Sequence, residues 1–166
     1  MNRLKFDTNN INFGLALTLA IACFLIKFSV WCSVGNHAVV LNFLSVKFSV
    51  LPMWLFALFD FLSFSILGFS LGADLSVNCA SKEVSKYRGA FYFVIALTLI
   101  CLSHLFLFKS LAFFLSLLMT IFALVCLFAA ILDFYYVSSI AFLSVIIGAL
   151  WNVYLVVFSA LAAFSV

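Results

Sequence analysis

Long apolar runs separated by shorter polar breaks dominate the chain. Five runs are about 20 residues or longer, at about 13–31, 51–71, 90–108, 111–132 and 137–164. A helix of about 20 apolar residues crosses the hydrocarbon core of a bilayer. The runs are apolar on every face, whereas strands of a membrane barrel alternate apolar and polar residues. The pattern therefore predicts an all-α integral membrane protein, a five-transmembrane-helix bundle forming a single membrane domain.

The breaks between the runs differ in length. Residues 32–50 form a long loop of mixed polarity, which its apolar content places on the protein or at the membrane interface. Residues 72–89 are the most polar part of the chain and predict a solvated loop, with a short helix starting at Ser81. The breaks at 109–110 and 133–136 are short, so the last three helices are predicted to be antiparallel neighbours.

Composition supports a lipid environment. The chain is 69% hydrophobic and 8% charged, with a mean hydropathy of +1.39. A soluble domain of ordinary composition is about 45–50% apolar and about 25% charged. The net charge of +3 is spread out without a basic cluster, which argues against nucleic-acid binding. Lys27 interrupts the first apolar run and no clear cleavage site follows, so a retained first helix is favoured over a signal peptide.

The distribution of basic residues predicts the orientation. With the amino terminus in the cytoplasm, the inner side carries Arg3, Lys5, Lys82, Lys86 and Arg88, and the outer side carries Lys47 and Lys109. Cytoplasmic loops of membrane proteins carry the excess of Lys and Arg. The amino terminus is therefore predicted to be cytoplasmic.

Neither the cysteines nor the polar residues form a recognisable catalytic or metal-binding motif. The five cysteines are Cys23, Cys32, Cys79, Cys101 and Cys126. No CxxC occurs and no histidine lies at ligand spacing, so we interpret them as small apolar residues. Paired carboxylates, a Ser-His-Asp set and a Gly-rich phosphate loop are also missing, and no catalytic residue is predicted.

Asp60 is the one charged residue in the second apolar run. A charge there is costly and marks a candidate functional site. Two interpretations are open. The carboxylate lines a pocket, where it takes a proton or pairs with a cationic or hydroxylated ligand, or it makes a structural hydrogen bond to Ser63, Ser65 or a neighbouring helix. His104 and Lys27 are candidate partners of Asp60; His104 lies far along the membrane normal, and snorkelling to the interface already accounts for Lys27.

Three stretches of the chain carry a resemblance to a known family. The first is PMWLFALFDFLSFSILGFS, with matching positions at Pro52, Trp54, Leu55, Phe56 and Gly68. The second is LSHLFLFKS at the end of the third run, from Leu102 to Ser110. The third is VSSIAFLSVIIGALW, with matching positions at Val137, Ser138, Ala141, Leu150 and Trp151.

Together, and in a common register from about Phe13 to Ala160, these stretches resemble the TspO/MBR family of tryptophan-rich sensory and translocator proteins. The resemblance implies a five-helix bundle that binds a hydrophobic ligand, a porphyrin or haem-type tetrapyrrole or a sterol-like molecule, for sensing, trafficking or transport. It also implies a homodimer, for which small residues such as Ala160 allow close packing. A bacterial cell membrane, or a mitochondrial outer membrane in a eukaryote, is the implied location.

The ligand-binding positions that the resemblance implies are Asp60, Trp54, Trp151, Leu155 and Leu102. Asp60 stands where the family usually has a second tryptophan, and the family's Pro-Tyr pair is replaced by Ile147-Gly148. The alternative function is therefore a small structural or partner-binding membrane subunit that keeps the fold without the pocket. An enzyme activity rests on the family association alone.

The aromatic residues have more than one interpretation. Trp54 and Trp151 either stack on a flat ligand or act in anchoring and packing. Trp31 is placed like an interfacial anchor. His104 is either an axial haem ligand or an interfacial residue, and Asn152 is expected to hydrogen-bond between helices.

Overall fold

The computed structural model describes residues 11–46, 48, 50–77 and 83–165. Six helices and no strand occur in these ranges: α1 (Phe13–Cys32), α2 (His37–Ser45), α3 (Met53–Ser76), α4 (Glu83–Phe108), α5 (Phe113–Val137) and α6 (Ser139–Ser165). All except α2 are long and apolar enough to cross a membrane. The predicted multi-pass, all-α membrane protein with five spanning helices is confirmed.

Several predictions concern residues outside the described ranges. These are the orientation-determining residues Arg3, Lys5, Lys47 and Lys82, the helix start at Ser81, and Cys79.

The polar breaks contain more helix than the sequence pattern predicts. Residues 72–76 belong to the end of α3, and residues 83–89 to the start of α4, so the prediction of a solvated loop over 72–89 is wrong in these parts. Asp74 is fully buried there. Asp133 does not end a helix, because α5 continues to Val137. These extensions occur because helices in contact with neighbours gain packing that local polarity does not report.

The long first loop also contains a helix, α2, where the sequence predicted only a loop on the protein or at the membrane interface. It buries Val40, Leu41 and Leu44 together with its first residue, His37. Its apolar residues at spacings of three and four lie on one face, which covers the end of the bundle. The predicted contact of this segment with the protein is therefore confirmed.

The spanning helices form a closed arrangement. Along it, α4 packs on α5, α5 on α6, α6 on α3 and α3 on α1, and α4 also contacts both α1 and α3. Residues 109–112 join α4 to α5, and Ser138 alone joins α5 to α6. Neighbours connected so tightly run antiparallel, as predicted for the last three helices. Asn152 of α6 donates to the Thr120 carbonyl oxygen of α5 (3.4 Å), which is the interhelical hydrogen bond expected for it.

Helix α1 turns small and polar residues inward and large apolar residues outward. The residues that it buries are Ala16, Cys23 and Lys27. Lipid solvates apolar side chains as well as a protein core does, so close packing of small residues drives helix association in a bilayer. On α3, a Cβ added to Gly68 would lie 2.5 Å from the Leu19 carbonyl oxygen, and one added to Gly72 would overlap the Ala16 backbone. The α1–α3 interface therefore depends on both glycines.

An ion pair also joins α4 to α5. It lies near the start of α4, far from the short connection between the two helices. Arg88 donates from Nη2 to Asp133 Oδ1 (2.6 Å) and from Nε to Asp133 Oδ2 (2.9 Å). Such a bidentate pair fixes direction as well as distance. It accounts for a carboxylate at the end of α5 that the sequence pattern assigns to a boundary.

Candidate functional site

Four titratable side chains from four different helices meet inside the bundle. They are Lys27 of α1, His37 of α2, Asp60 of α3 and His104 of α4, which we call the buried polar cluster. Their exposed fractions are 0%, 4%, 1% and 3%. Charged groups in a membrane interior are rare and almost always paired. This cluster is therefore the strongest candidate for a functional site among the described residues.

The cluster is continuous. Lys27 Nζ lies 3.1 Å from Asp60 Oδ2 and 3.4 Å from His104 Nδ1. The same Asp60 oxygen is 3.7 Å from His104 Nδ1. On the other side of the His104 ring, Nε2 lies 2.9 Å from His37 Nε2. A single path of close polar contacts thus connects Asp60, in the first half of α3, with the first residue of α2.

Two tryptophans flank this path. Trp151 of α6 donates its indole N–H to Asp60 Oδ1 (3.0 Å). Trp31 of α1 stacks on His37, with ring centroids 3.8 Å apart and planes inclined by 15°. The Asp60 carboxylate therefore has a partner at each oxygen: an ammonium group at one and an N–H donor at the other.

Three sequence-based interpretations are corrected by this arrangement. Lys27 does not snorkel to the interface, because its amine points into the bundle toward Asp60. His104 is neither interfacial nor distant from Asp60. Trp31 contacts the cluster rather than serving only as an anchor. The physical reason for the position of Lys27 is that a carboxylate in a low-dielectric interior needs a cation close to it.

The predicted ligand-binding residues are only partly brought together. Asp60 and Trp151 share a hydrogen bond, and Leu155, one turn from Trp151 on α6, is buried. Trp54 is 69% exposed on the outside of α3, and Leu102 is 37% exposed on α4. These last two do not line the groove described next.

An apolar groove of about 370 Å³ lies between α3 and α6, next to the buried polar cluster. Trp151 contributes to both, since its ring lines the groove while its N–H bonds Asp60. Phe59 and Tyr154 both stack on Trp151, with ring centroids 5.6 Å and 4.7 Å from that of Trp151. The lining residues are Leu51, Phe59, Leu62, Ser63, Ile66, Ile147, Leu150, Trp151 and Tyr154.

Asp74 is a second buried carboxylate, 14 residues further along α3. Neither of its oxygens has a hydrogen-bond partner within the part of the chain that the structure describes. It lies near the end of α3, far from the buried polar cluster, because 14 helical residues span about 21 Å. The two carboxylates therefore belong to separate sites.

Sequence reasoning did not place His37 or Trp31 in this cluster. Lys27 was considered as a partner of Asp60, and it is the only Lys or Arg within the first two apolar runs. Because charges in a membrane interior are almost always paired, contact of Lys27 with Asp60 was the better prediction than snorkelling to the interface. Trp31 follows Lys27 by four residues and so lies on the same helix face, which was the available signal for it. His37 had none, because its position depends on how α2 folds back.

Both ring nitrogens of His104 are engaged. Nδ1 faces Lys27 and Nε2 faces His37. Axial ligation of a haem iron would require one of these contacts to break. The arrangement therefore favours a role for His104 within the cluster.

The buried polar cluster makes stability depend on pH through His37. Burial, with the nearby Lys27 charge adding to it, lowers the pKa of His37 from 6.5 to about 4, against a hydrogen bond to the Val34 backbone. A lowered folded-state pKa means that the unfolded chain binds the proton more readily. We expect the free energy of unfolding to be highest above pH 6.5 and to fall between pH 6.5 and about 4.

Unfolding titrations at several pH values in mild detergent measure this effect. In His37→Gln the decrease between pH 6.5 and 4 should be smaller than in the unmodified protein. An equal decrease in both proteins would contradict the assignment to His37.

Comparisons of the chain with protein-family models, with curated proteins and with solved structures found no match.

Proposed function

We propose that the protein binds a hydrophobic ligand, a flat tetrapyrrole or a sterol-like molecule, in the groove between α3 and α6. The observation that carries this proposal is the position of Trp151, which offers its ring to the groove while its N–H is held by Asp60. A flat aromatic ligand gains most from stacking on an aromatic side chain whose orientation is already fixed.

The chemistry of the groove agrees with such a ligand. Apart from the indole nitrogen of Trp151, which Asp60 occupies, its polar side-chain groups are the hydroxyls of Ser63 and Tyr154. Its volume falls within the range of about 300–1,000 Å³ that is usual for small-molecule sites. The macrocycle or ring system would lie against the apolar walls, and any carboxylate groups would extend toward the lipid headgroups.

Binding in a membrane-facing groove suits sensing, trafficking or transport of a molecule that partitions into lipid. The resemblance to the TspO/MBR family supports the same ligand class, and α2, which covers the end of the bundle near α3 and α6, would act as a lid over the site. A cytoplasmic amino terminus and a homodimer belong to this proposal as well.

Titration of the purified protein with protoporphyrin tests the proposal. We expect saturable quenching of tryptophan fluorescence, and about a tenfold or greater loss of affinity in Trp151→Phe, since a stacked aromatic pair contributes about 0.5–1.5 kcal/mol and the fixed N–H is lost as well. Trp54→Phe is the matched control, because this tryptophan is exposed elsewhere on α3 and should leave the affinity unchanged.

Ile147→Trp separates loss of the ligand site from loss of the Asp60 hydrogen bond. It adds bulk to the groove without changing Trp151 or Asp60, and it should also weaken binding. Quenching that never saturates, or that is equal in Trp151→Phe and the unmodified protein, would refute the proposal.

The alternative, a structural or partner-binding subunit, has one observation in its favour. Lys27 occupies the bundle centre beside Asp60, so that carboxylate faces a packed interior rather than an open cavity. A protein that binds no protoporphyrin or sterol but elutes with a partner membrane protein after mild detergent extraction would support this function instead.

A further inference from the structure

The hydrogen-bonding roles within the buried polar cluster follow from the chemistry of Lys27. A lysine ammonium group can donate hydrogen bonds but cannot accept them. Lys27 Nζ contacts His104 Nδ1 at 3.4 Å, so this nitrogen carries no proton and accepts. The proton of a neutral His104 ring is therefore on Nε2.

This assignment determines the next ring. His104 Nε2–H donates to His37 Nε2, 2.9 Å away, which must then be unprotonated. The proton of neutral His37 is then on Nδ1. Both hydrogen bonds thus run in one direction, from Lys27 through His104 to His37.

The outer end of this chain of hydrogen bonds is His37, which follows the connection at 33–36 between α1 and α2. This connection lies outside the membrane-spanning segments, and Ser33 and Gly35 in it are exposed. The other end is the Asp60 carboxylate, which Lys27 contacts in the interior. The chain of hydrogen bonds therefore connects the interior of the bundle with the surface at the start of α2.

We propose that Lys27, His104 and His37 form a proton-transfer chain that connects Asp60 in the bundle interior with water at the α2 end. This activity is separate from binding in the α3–α6 groove and does not depend on it. The species that these three side chains transfer is a proton.

Release of one proton takes three transfers. Lys27 gives a proton to His104 Nδ1, His104 gives its Nε2 proton to His37 Nε2, and His37 gives its Nδ1 proton to water at the connection between α1 and α2. Lys27 is then a neutral amine, and both imidazoles are neutral with the proton on the other nitrogen. Uptake follows the reverse order.

The other titratable groups around the chain are few. Besides Lys27, α1 contributes Cys23, which interacts electrostatically with Cys101 of α4, and Cys101 in turn interacts with Lys27 and Asp60. On α6, Tyr154 stacks on Trp151. Among the described residues of α5, the buried titratable group is Asp133, which pairs with Arg88 at the other end of α4. Among the described residues, the path through the two imidazoles is therefore the one with continuous polar contacts.

A variant whose single tryptophan is Trp151 allows the inner end of the proton-transfer chain to be followed by fluorescence. Trp31→Phe, which keeps a ring against His37, and Trp54→Phe leave only the indole that donates to Asp60. Its fluorescence responds to the charge beside Asp60. After a rapid pH jump in mild detergent, we expect a fluorescence change whose rate reports proton exchange with Lys27.

Replacing His37 interrupts the chain at its outer ring. In this single-tryptophan protein, His37→Phe and His37→Gln should each slow the response by about a hundredfold, the low end of what a positioned proton-transfer group contributes. Asn42→Ala on the exposed side of α2 is the matched control and should leave the rate unchanged. Circular dichroism checks that the helical content is preserved. Equal rates with and without His37, or a Trp151 signal that does not respond to pH, would overturn the proposal.

Nitrogen-15 spectra of the unmodified protein provide a second test that needs no substitution. At neutral pH we expect His104 to carry its proton on Nε2 and His37 on Nδ1. The opposite pair of tautomers would place a proton between Lys27 and His104 and would also overturn the proposal.

Discussion

Replacing Lys27 with methionine is expected to lower the free energy of unfolding by about 3–5 kcal/mol, the usual cost of removing one partner from a buried ion pair. The loss is large because the Asp60 carboxylate, 1% exposed, would keep only the Trp151 N–H as a direct partner. Methionine nearly matches the length of lysine, so lost charge rather than lost volume dominates. Unfolding by increasing fractions of sodium dodecyl sulfate in mixed micelles, followed by circular dichroism, measures the change.

Lys109→Met is the matched control for this prediction. Lys109 is exposed in the short connection after α4, and its replacement should change stability by less than about 0.5 kcal/mol. The double variant Lys27→Met with Asp60→Asn removes both charges while keeping an acceptor for Trp151. It should recover most of the lost stability, because no unpaired charge remains inside the bundle. Similar losses in Lys27→Met and Lys109→Met would show that the pair does not stabilise the fold.

Gly72→Ala is expected to cost about 3 kcal/mol, the upper end for overpacking a close-packed interior. The added Cβ overlaps the Ala16 backbone, and a neighbouring helix backbone cannot move aside as a flexible side chain can. Relief would require α1 and α3 to separate. This separation would also displace Lys27 from Asp60, so the same substitution should weaken the buried polar cluster.

Gly35→Ala makes the same chemical change where there is room. A Cβ at Gly35 would meet nothing within 4 Å, so stability should be nearly unchanged. Comparing the two variants in one unfolding assay separates the steric effect from the general effect of alanine on the unfolded chain. Equal stability of Gly72→Ala and Gly35→Ala would contradict the close approach of α1 and α3.

The sequence was sufficient for the class of fold because lipid imposes a simple rule. A spanning segment must satisfy its own backbone hydrogen bonds and stay apolar over about 20 residues, and both requirements can be read locally. Short connections likewise predicted the order of the last three helices. The ends of the helices were less accurate, as at Asp74 and Asp133, because a polar residue inside a helix is stable when a neighbouring helix covers or pairs with it.

The candidate site was predicted only in part. Asp60 was selected because an acid in an apolar run is unusual within the segment itself. Its partners in the structure are 23 to 91 positions away in the sequence. They are Trp151, Lys27, His104 and His37. Helix rotation and the fold of α2 determine which of these side chains meet.

Hydropathy and run length were enough to predict a five-helix membrane protein with one acid in its second long run, because both can be read residue by residue. That Asp60 belongs to a paired and directional set of polar groups follows from how the helices pack. Charge pairing in a low-dielectric interior is a property of distances between helices, and no local pattern contains those distances.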